Sequence, residues 1–391
     1  MQKSSTIAIV TGNRAEYYLL EPVILKLEKL PKVTTEVLVS GTHLENKEKG
    51  SLQDLRKNLN SQLRLIPIHS QNSIPSEVCI QISQAVEKFG QCFQNHHYDL
   101  LIVLGDRHEI LAACIAALIH QIPIAHINGG DVTEGSIDEC FRHSITKMSN
   151  YHFPATQLSA IRISQMGELS THIFVSGSLG VEIATSHKST KNKEKIINKP
   201  YALLTCHSET TSLLKQIPVQ QMELFKALES YSGSVLITKS NCDLGGHQIN
   251  EIHNRWVTKY PEKFHKIDNL GLFYHTALEH ADFCIGNSSS ALIEAPALHT
   301  PSIDLGNRQK GRERGSSVLH SEWSSEQILS KINICIQPTW RNQKDRYISP
   351  YYSGTSKPSD IIVDNIKKIL DEPKVLKKFQ LSNATLTSKK N

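Results

Sequence analysis

Residues 282–305, DFCIGNSSSALIEAPALHTPSIDL, contain two short apolar runs on either side of a segment with a helical pattern. The first run, Asp282–Ile285, leads into Gly286, and the second run is Ser302–Leu305. Strands that flank a helix in this way pair in parallel, because the helix returns the chain to the starting edge of the sheet. The stretch therefore predicts a βαβ unit and an α/β fold.

The same alternation extends over most of the chain. Val, Ile and Leu dominate the apolar runs, as is typical of parallel strands that are buried on both faces. The expected strands are Thr6–Val10, Glu36–Val39, Leu63–Ile68, Leu100–Leu104, Ile124–Ile127, His152–Pro154, His172–Val175, Ala202–Cys206, Val235–Thr238, Phe283–Ile285 and Ser302–Leu305. The expected helices include Tyr17–Leu30, Val78–Phe93, Glu109–His120, Ile137–Met148, Met222–Tyr231, Ile249–Lys259 and Ile361–Leu370. These elements form two sets, which predicts two Rossmann-like domains.

A lysine-rich stretch, 188–199, separates the two sets and is expected to be a linker. We therefore expect an N-terminal domain over residues 1–178, a C-terminal domain over 179–360, and a C-terminal helix and tail over 361–391. Ligands of open α/β sheets bind at the carboxyl ends of the strands. The cleft between the domains is the expected active site.

Composition argues against several other classes of protein. The chain has 391 residues with a net charge of +5, and its basic residues do not alternate with aromatic ones, so nucleic acid is not an expected partner. No apolar stretch approaches ~20 residues, so no membrane span is expected. The eight cysteines lack C-x-x-C spacing. This argues against a zinc or redox motif, and we expect reduced thiols in a cytoplasmic protein.

The segment after Gly286 is the first candidate binding site. Ser288 and Ser289 precede the expected helix, whose free N–H groups and partial positive charge favour an anion. Glu294 would lie one to two turns into that helix, where an acidic side chain can accept hydrogen bonds from a sugar diol. The alternative is an ordinary serine-capped helix.

Three cations, Arg308, Lys310 and Arg312, follow the second strand of the same unit. Guanidinium and ammonium groups at this position could neutralise a diphosphate. The alternative is that they are solvated surface cations.

Three aspartates follow two consecutive strands and are candidate acid–base groups: Asp106, Asp131 and Asp138. Carboxylates that converge on one cleft repel each other, so at least one pKa should rise, and partial burial could raise that of Asp106. The alternatives are that Asp106 caps a helix and that Asp138 forms a surface ion pair with Arg142, four residues on.

Other polar residues at strand ends are Arg14, His43, His207, Asn241 and Asp243. Arg14 and the histidines could bind phosphate or orient a substrate, and the last two could bind sugar hydroxyls. The alternatives are a surface cation for Arg14 and an Asx-type turn for Asn241 and Asp243. The sequence contains no G-x-G-x-x-G motif, so no nicotinamide or flavin cofactor is expected.

Taken together, these segments resemble one family. The motifs TGNRAEY, SGTHL, VLGDRHE, IPIAHINGGD, EGSIDECFRHSITKMS, GSLG, TCHSET, SNCDLGG, HADFCIGNSSSALIEAP and DLGNRQKGR occur in the order seen in hydrolysing UDP-N-acetylglucosamine 2-epimerases. The resemblance covers roughly residues 5–320 and is to the bacterial branch that serves sialic-acid and legionaminic-acid pathways. It implies a fold of the glycosyltransferase-B type, with the active site between the domains.

The resemblance also implies a reaction without a cofactor or metal. UDP leaves C1 as the C2 proton is abstracted, and water then adds to the glycal, which gives UDP and N-acetylmannosamine. The implied catalytic residues are Asp106, Asp138 and His207. The implied substrate-binding residues are Arg14, His43, Arg107, Asn241, Asp243, Ser288, Ser289, Glu294 and Arg308. A homo-oligomer, either a dimer or a tetramer, is also expected.

One position departs from the family pattern. Some members have a catalytic Glu where this chain has Asn128, and an amide cannot exchange a proton. Other members of the branch lack that Glu and keep an acid three residues on, where Asp131 stands. We therefore expect Asp131, as a third catalytic residue, to supply or support the missing group.

Three alternatives stay open. The same reaction on UDP-N,N′-diacetylbacillosamine would suit the legionaminic-acid pathway. A glycosyltransferase would share the fold and the UDP site but would leave the aspartates without a clear task. A catalytically inactive UDP-sugar-binding protein is favoured only by Asn128.

Overall fold

The computed structural model describes most of the chain. The described residues are 4–44, 51–68, 74–187, 200–209, 214–241, 245–268, 270–352, 354–372 and 377. The expected linker at 188–199, the residue Asp243 and most of the tail after 372 lie outside them.

The first domain is built on a parallel sheet of six strands in the order β3-β2-β1-β4-β5-β6. The strands are β1 (Ser5–Thr11), β2 (Val33–Val39), β3 (Gln62–Leu65), β4 (Leu100–Leu104), β5 (Ile124–Ile127) and β6 (Tyr151–Phe153). The helices that follow them are α1 (Arg14–Leu27), α2 (Ser51–Asn58), α3 (Pro75–Asn95), α4 (His108–Ile119), α5 (Asp138–Met148) and α6 (Gln157–Gln165). Two hydrophobic cores cover the sheet.

The second domain repeats this plan with six strands in the order β12-β11-β10-β7-β8-β9, also parallel. They are β7 (Tyr201–Thr205), β8 (Ser234–Thr238), β9 (Phe264–Ile267), β10 (Phe283–Gly286), β11 (Ser302–Leu305) and β12 (Val318–Ser321). Its helices are α7 (Leu179–His187), α8 (Ile217–Glu229), α9 (Gly246–Lys259), α10 (Tyr274–His280), α11 (Glu294–Ala297), α12 (Ser325–Cys335) and α13 (Pro338–Arg341). The prediction of an α/β fold with two Rossmann-like sheets is confirmed.

The last helix, α14 (Pro358–Asp371), packs on α1 of the first domain. Ile362 and Ile366 are buried in the first domain's core. Ser359 fixes the start of this helix, because its N–H and hydroxyl both donate to the Glu182 carboxylate, at 2.8 and 2.6 Å. The chain therefore crosses from the second domain back to the first. Among the described residues, no helix is both long and apolar enough to span a bilayer.

Two of the predicted elements differ in the structure, and strands β9 and β12 were not predicted. The expected strand His172–Val175 is absent, and only Ile173 makes a single bridge, to His152. The helix expected after Gly286 is a single 3-10 turn, Ser289–Ala291, followed by the four-residue α11. Pro296 lies within this segment and lacks an N–H, so it cannot donate to the bonds that a longer helix would need.

Candidate active site

The site lies where a loop of the first domain meets a loop of the second. The loop between β5 and α5 contacts the loop after β11, and the Glu134 N–H donates to Lys310 O at 3.0 Å. A Cβ atom on Gly135 would lie 2.3 Å from Asn307 O, so only glycine fits there without movement. The carboxyl ends of the two sheets are thereby held next to each other.

Asp106 follows β4 and is paired with Arg142 of α5. Arg142 Nε donates to Asp106 Oδ2 at 2.8 Å, and Nη2 donates to the same oxygen. Burial alone would raise the pKa of Asp106, but the charges of Arg142 and Arg312 hold it below its usual value. The alternative of a surface ion pair between Arg142 and Asp138 is wrong, because the Arg142 side chain is nearly buried and pairs with Asp106. Burial could have raised the Asp106 pKa, but the two arginines outweigh it.

Asp131 is buried between the two domains. Its Oδ1 accepts a hydrogen bond from Ser159 Oγ at 2.7 Å, and its Oδ2 lies 3.2 Å from Arg312 Nη2. Both carboxylate oxygens are thus engaged, an arrangement that suits a supporting group better than a proton donor. Asn128, three residues earlier, adopts a left-handed backbone with φ of 64°. Its buried Oδ1 has no hydrogen-bond partner among the described residues.

Asp138 is the first residue of α5 and is partly exposed. The Ser136 hydroxyl donates to its Oδ2 at 2.9 Å. The three aspartates that follow β4 and β5 therefore have three different environments: Asp106 is paired with Arg142, Asp131 is buried between the domains, and Asp138 is partly exposed.

Asn287 organises the second domain's side of the site. Its Oδ1 accepts the His207 N–H at 2.7 Å, and its Nδ2 donates to His207 O at 2.8 Å. Gly286 allows the close approach of β10 to β7 that this pairing needs, because a Cβ there would lie 1.9 Å from Thr205 O. Arg308 Nη1 donates to Asn287 O at 3.2 Å, which brings the arginine to the same point.

His207 is a neutral hydrogen-bond donor in this setting. The Asn241 N–H donates to His207 Nδ1 at 3.2 Å, so Nδ1 is the acceptor and Nε2 carries the proton. Burial lowers the pKa of His207 to about 3, and the charge of Arg308 acts in the same direction. His207 therefore suits hydrogen bonding to an anion better than general-base catalysis.

Ser288, Ser289 and Glu294 follow β10 as the sequence indicated. Ser288 caps the 3-10 turn, and its side chain accepts the Ser290 N–H. Glu294 Oε2 is buried and has no hydrogen-bond partner among the described residues. Burial raises the pKa of Glu294 to about 7, against the opposing charge of Arg312. An unpaired buried carboxyl of this kind suits a ligand that brings hydroxyl donors.

Arg14 is partly exposed just after the end of β1. Its side chain is 37% exposed, and its Nη2 donates to Tyr18 Oη at 2.8 Å and to Asp54 Oδ2 at 3.3 Å.

His43, by contrast, is buried. Its ring nitrogens face Thr11 Oγ1 at 3.0 Å and Ser51 Oγ at 2.5 Å, and burial lowers its pKa to about 4. His43 thus lies beneath the surface of the site.

Arg107 lies against two buried carboxylates. Its Nε donates to Glu109 Oε1 at 3.2 Å and lies 3.9 Å from Glu16 Oε1. Burial raises the pKa of Glu16 to about 8.

Sequence reasoning missed Glu16, Glu109, Asn287 and the role of Arg142. Asn287 could have been predicted as a site residue, because it directly follows Gly286 at the end of a strand.

No group of three His, Cys, Asp or Glu side chains in the described part of the chain could hold a metal ion. The expectation of a reaction without metal or cofactor stays a prediction.

Comparison with known proteins identifies the family. The sequence model of the UDP-N-acetylglucosamine 2-epimerase family matches residues 25–367. This chain belongs to that family. The resemblance stated from the motifs is thereby confirmed, and so is the expectation that the protein is an enzyme of the UDP-sugar 2-epimerase type.

Two relatives of this epimerase are similar over most of their length. The polysialic acid biosynthesis protein P7 of Escherichia coli is 32% identical over 90% of this chain and 89% of its own. The hydrolysing GDP/UDP-N,N′-diacetylbacillosamine 2-epimerase of Campylobacter jejuni is 33% identical over 81% of this chain and 84% of its own. The crystal structure of a Neisseria meningitidis UDP-GlcNAc 2-epimerase bound to UDP-GlcNAc has a TM-score of 0.78 at 20% identity, covering 93% of this chain and 100% of its own. That likeness confirms the fold of the glycosyltransferase-B type.

Proposed function

We propose that this epimerase hydrolyses UDP-N-acetylglucosamine to N-acetylmannosamine and UDP, with the cleft between its domains as the active site. The observation that carries the proposal is the contact between Asp131 and Arg312. Arg312 lies in the same loop as Arg308, and its charge acts on both Asp106 of the first domain and Glu294 of the second. A sugar bound at the first edge would have its diphosphate at the second.

The chemistry requires two proton transfers at C2. A carboxylate takes the C2 proton, the C–H electrons form the C1–C2 double bond, and the C1–O bond to UDP breaks. Water then adds its hydroxyl to C1, and a second acid delivers its proton to the opposite face of C2 and, once ionised, takes up the remaining proton of the water. Asp106 suits the first role, because Arg142 and Arg312 keep it ionised at neutral pH. Asp138, partly exposed on the neighbouring helix, suits the second.

The second domain would stabilise the departing UDP. Arg308 and the Nε2–H of His207 can donate to the diphosphate, and Arg14 can do so from the first domain. Ser288 and Ser289 would add hydroxyl donors. The carboxyl group of Glu294 can accept the ribose hydroxyls, and Asn241 would line the sugar side of the cleft.

The C4 substituent of the sugar is the open part of the substrate. The Campylobacter jejuni relative is named for diacetylbacillosamine, which favours the same reaction on UDP-N,N′-diacetylbacillosamine as the second candidate. Both candidates use the same acid–base groups, so they differ in specificity rather than in mechanism.

An NMR assay in D₂O separates these possibilities. The purified protein is incubated with each sugar nucleotide alone, and UDP and free sugar are followed together. We expect equal amounts of UDP and 2-epimerised sugar with deuterium at C2, and none from Asp106→Asn. Retained sugar without deuterium at C2 would indicate a transferase that hydrolyses slowly, and no turnover of either nucleotide would overturn the proposal. The cytoplasmic location and the homo-oligomer stay predictions.

A further inference from the structure

The ion pair between Asp131 and Arg312 is buried. The Arg312 side chain is 12% exposed and that of Asp131 is 6% exposed. Withdrawing both charges from water is unfavourable unless other bonds compensate. Ser159 supplies one such bond to Asp131.

On the second domain's side, a series of hydrogen bonds connects Arg312 to the backbone of His207. Arg312 Nη1 donates to Gln309 Oε1 at 2.9 Å, and Gln309 Nε2 donates to Asn287 O at 3.0 Å. Gln309 and Asn287 are essentially inaccessible to solvent. Asn287 then holds both backbone polar groups of His207.

On the first domain's side, hydrogen bonds from Arg142 connect Asp131 to Asp106. Arg142 Nη1 donates to Asp131 O at 2.9 Å, and the same guanidinium binds the Asp106 carboxylate. Arg142 Nη2 also donates to Thr133 Oγ1 at 2.9 Å, which fixes the intervening loop. A continuous set of side-chain and backbone contacts thus runs from Asp106 to the backbone of His207, and it crosses between the domains at the ion pair of Arg312 with Asp131.

We propose that Arg312 is a positioning residue that seats the aspartate loop, residues 130–137, against the nucleotide side of the cleft. It acts through Asp131 and Arg142 on Asp106, and through Gln309 and Asn287 on His207. This inference rests on the proposed function for its effect on turnover. Its effect on the loop itself does not depend on which sugar is the substrate.

A second ion pair joins the same two loops and provides a matched control. Lys310 Nζ lies 2.8 Å from Glu134 Oε2, with side chains 60% and 50% exposed. Exposed ion pairs of this kind contribute little to stability, because solvent screens the two charges. Glu134→Gln removes this pair and leaves the buried one in place.

The test combines amide hydrogen exchange with a double-mutant cycle of kcat values. Amide exchange of residues 130–137 is measured with and without saturating UDP in wild type, Arg312→Met, Asp131→Asn and Glu134→Gln. We expect UDP to slow exchange several-fold in wild type and Glu134→Gln, and to have no effect on this loop in the other two. If Arg312→Met does not fold, Arg312→Lys, which keeps the positive charge, takes its place in the exchange and turnover measurements.

Turnover supplies the second readout. Arg312→Met and Asp131→Asn should each lower kcat tenfold or more, and the double variant should be within about threefold of either, because the two residues act as one unit. Additive losses, or UDP protection of the loop that persists in Arg312→Met, would overturn the inference. If wild type turns over neither nucleotide, the proposed function fails, and the exchange measurement still decides the role of Arg312.

Discussion

Arg142 Nε donates to Asp106 Oδ2 at 2.8 Å across 36 positions of sequence, and this contact sets the charge of the first candidate base. The Arg142 side chain is 3% exposed, whereas that of Asp106 is 24% exposed. The arginine therefore supports the carboxylate from the protein side, and Asp106 stays accessible to the proposed sugar substrate.

Arg142→Gln should move the acidic limb of the pH profile of kcat/KM to higher pH. Burial tends to raise the Asp106 pKa and Arg142 opposes it, so removing Arg142 lets burial prevail. The base must be ionised, so activity near pH 6 should fall more than activity near pH 8. We therefore expect the acidic limb to lie at higher pH in Arg142→Gln than in wild type. The exposed Arg255→Gln is the control, and an unmoved limb in Arg142→Gln would remove Arg142 from this role.

Arg14→Ala should lower kcat/KM by roughly 10²-fold, the scale seen when an electrostatic stabiliser of developing charge is lost. Tyr18→Phe removes only the hydroxyl that accepts hydrogen bonds from Arg14, so its loss should be much smaller. Steady-state rates on the better of the two sugar nucleotides give both values. A decrease below about threefold in Arg14→Ala would show that this arginine does not contact the substrate.

The sequence predicted the central strands well because burial on both faces requires unbroken apolar runs. Leu100–Leu104, Ile124–Ile127 and Ser302–Leu305 have the same bounds in the structure. The edge strands β9 and β12 were missed, since FHKI and VLHS are only partly buried and mix polar with apolar residues. His172–Val175 was predicted as a strand from its apolar residues, but only Ile173 pairs with a neighbouring strand, through a single bridge to His152.

Residue types at strand ends predicted the members of the candidate site, but not their partners. Asp131 meets Arg312 and Asp106 meets Arg142 only because the fold brings distant segments together. Local spacing suggested instead that Arg142 would pair with Asp138, four residues away. A raised carboxyl pKa was expected among the aspartates and occurs instead at Glu16 and Glu294, where burial is the largest cause.

Gly286→Ala should destabilise the second domain by about 3 kcal/mol, near the upper end of ordinary single substitutions. The residue has φ of 136°, and an added Cβ would lie 1.9 Å from Thr205 O, so β10 and β7 would have to separate. Gly90→Ala is the matched control, because a Cβ there meets nothing within 4 Å and helical alanine is favoured by about 0.5–1 kcal/mol. Urea unfolding followed by circular dichroism compares the two, and equal midpoints would contradict the close packing.

UDP affinity should rise as pH increases through about 7, and Glu294 should be responsible. Burial raises the pKa of its carboxyl to about 7, and only the ionised form accepts two ribose hydroxyls. Below that pH the proton must leave before the ribose can bind, so affinity falls by up to about tenfold per pH unit. The charged neighbour Arg312 favours the ionised form, and the neighbouring Tyr274 hydroxyl stays neutral because burial raises its pKa.

Glu294→Gln isolates this effect from the titration of UDP itself. A terminal phosphate has a pKa near 6, so its ionisation also strengthens binding as pH rises. Calorimetric titrations at pH 5.5 to 8.5 should show a steeper dependence in wild type than in Glu294→Gln, and wild type should release a proton on binding near pH 6.5. Parallel curves for the two proteins would place the ribose elsewhere, because a carboxyl that gains hydroxyl donors in the complex must lower its pKa there.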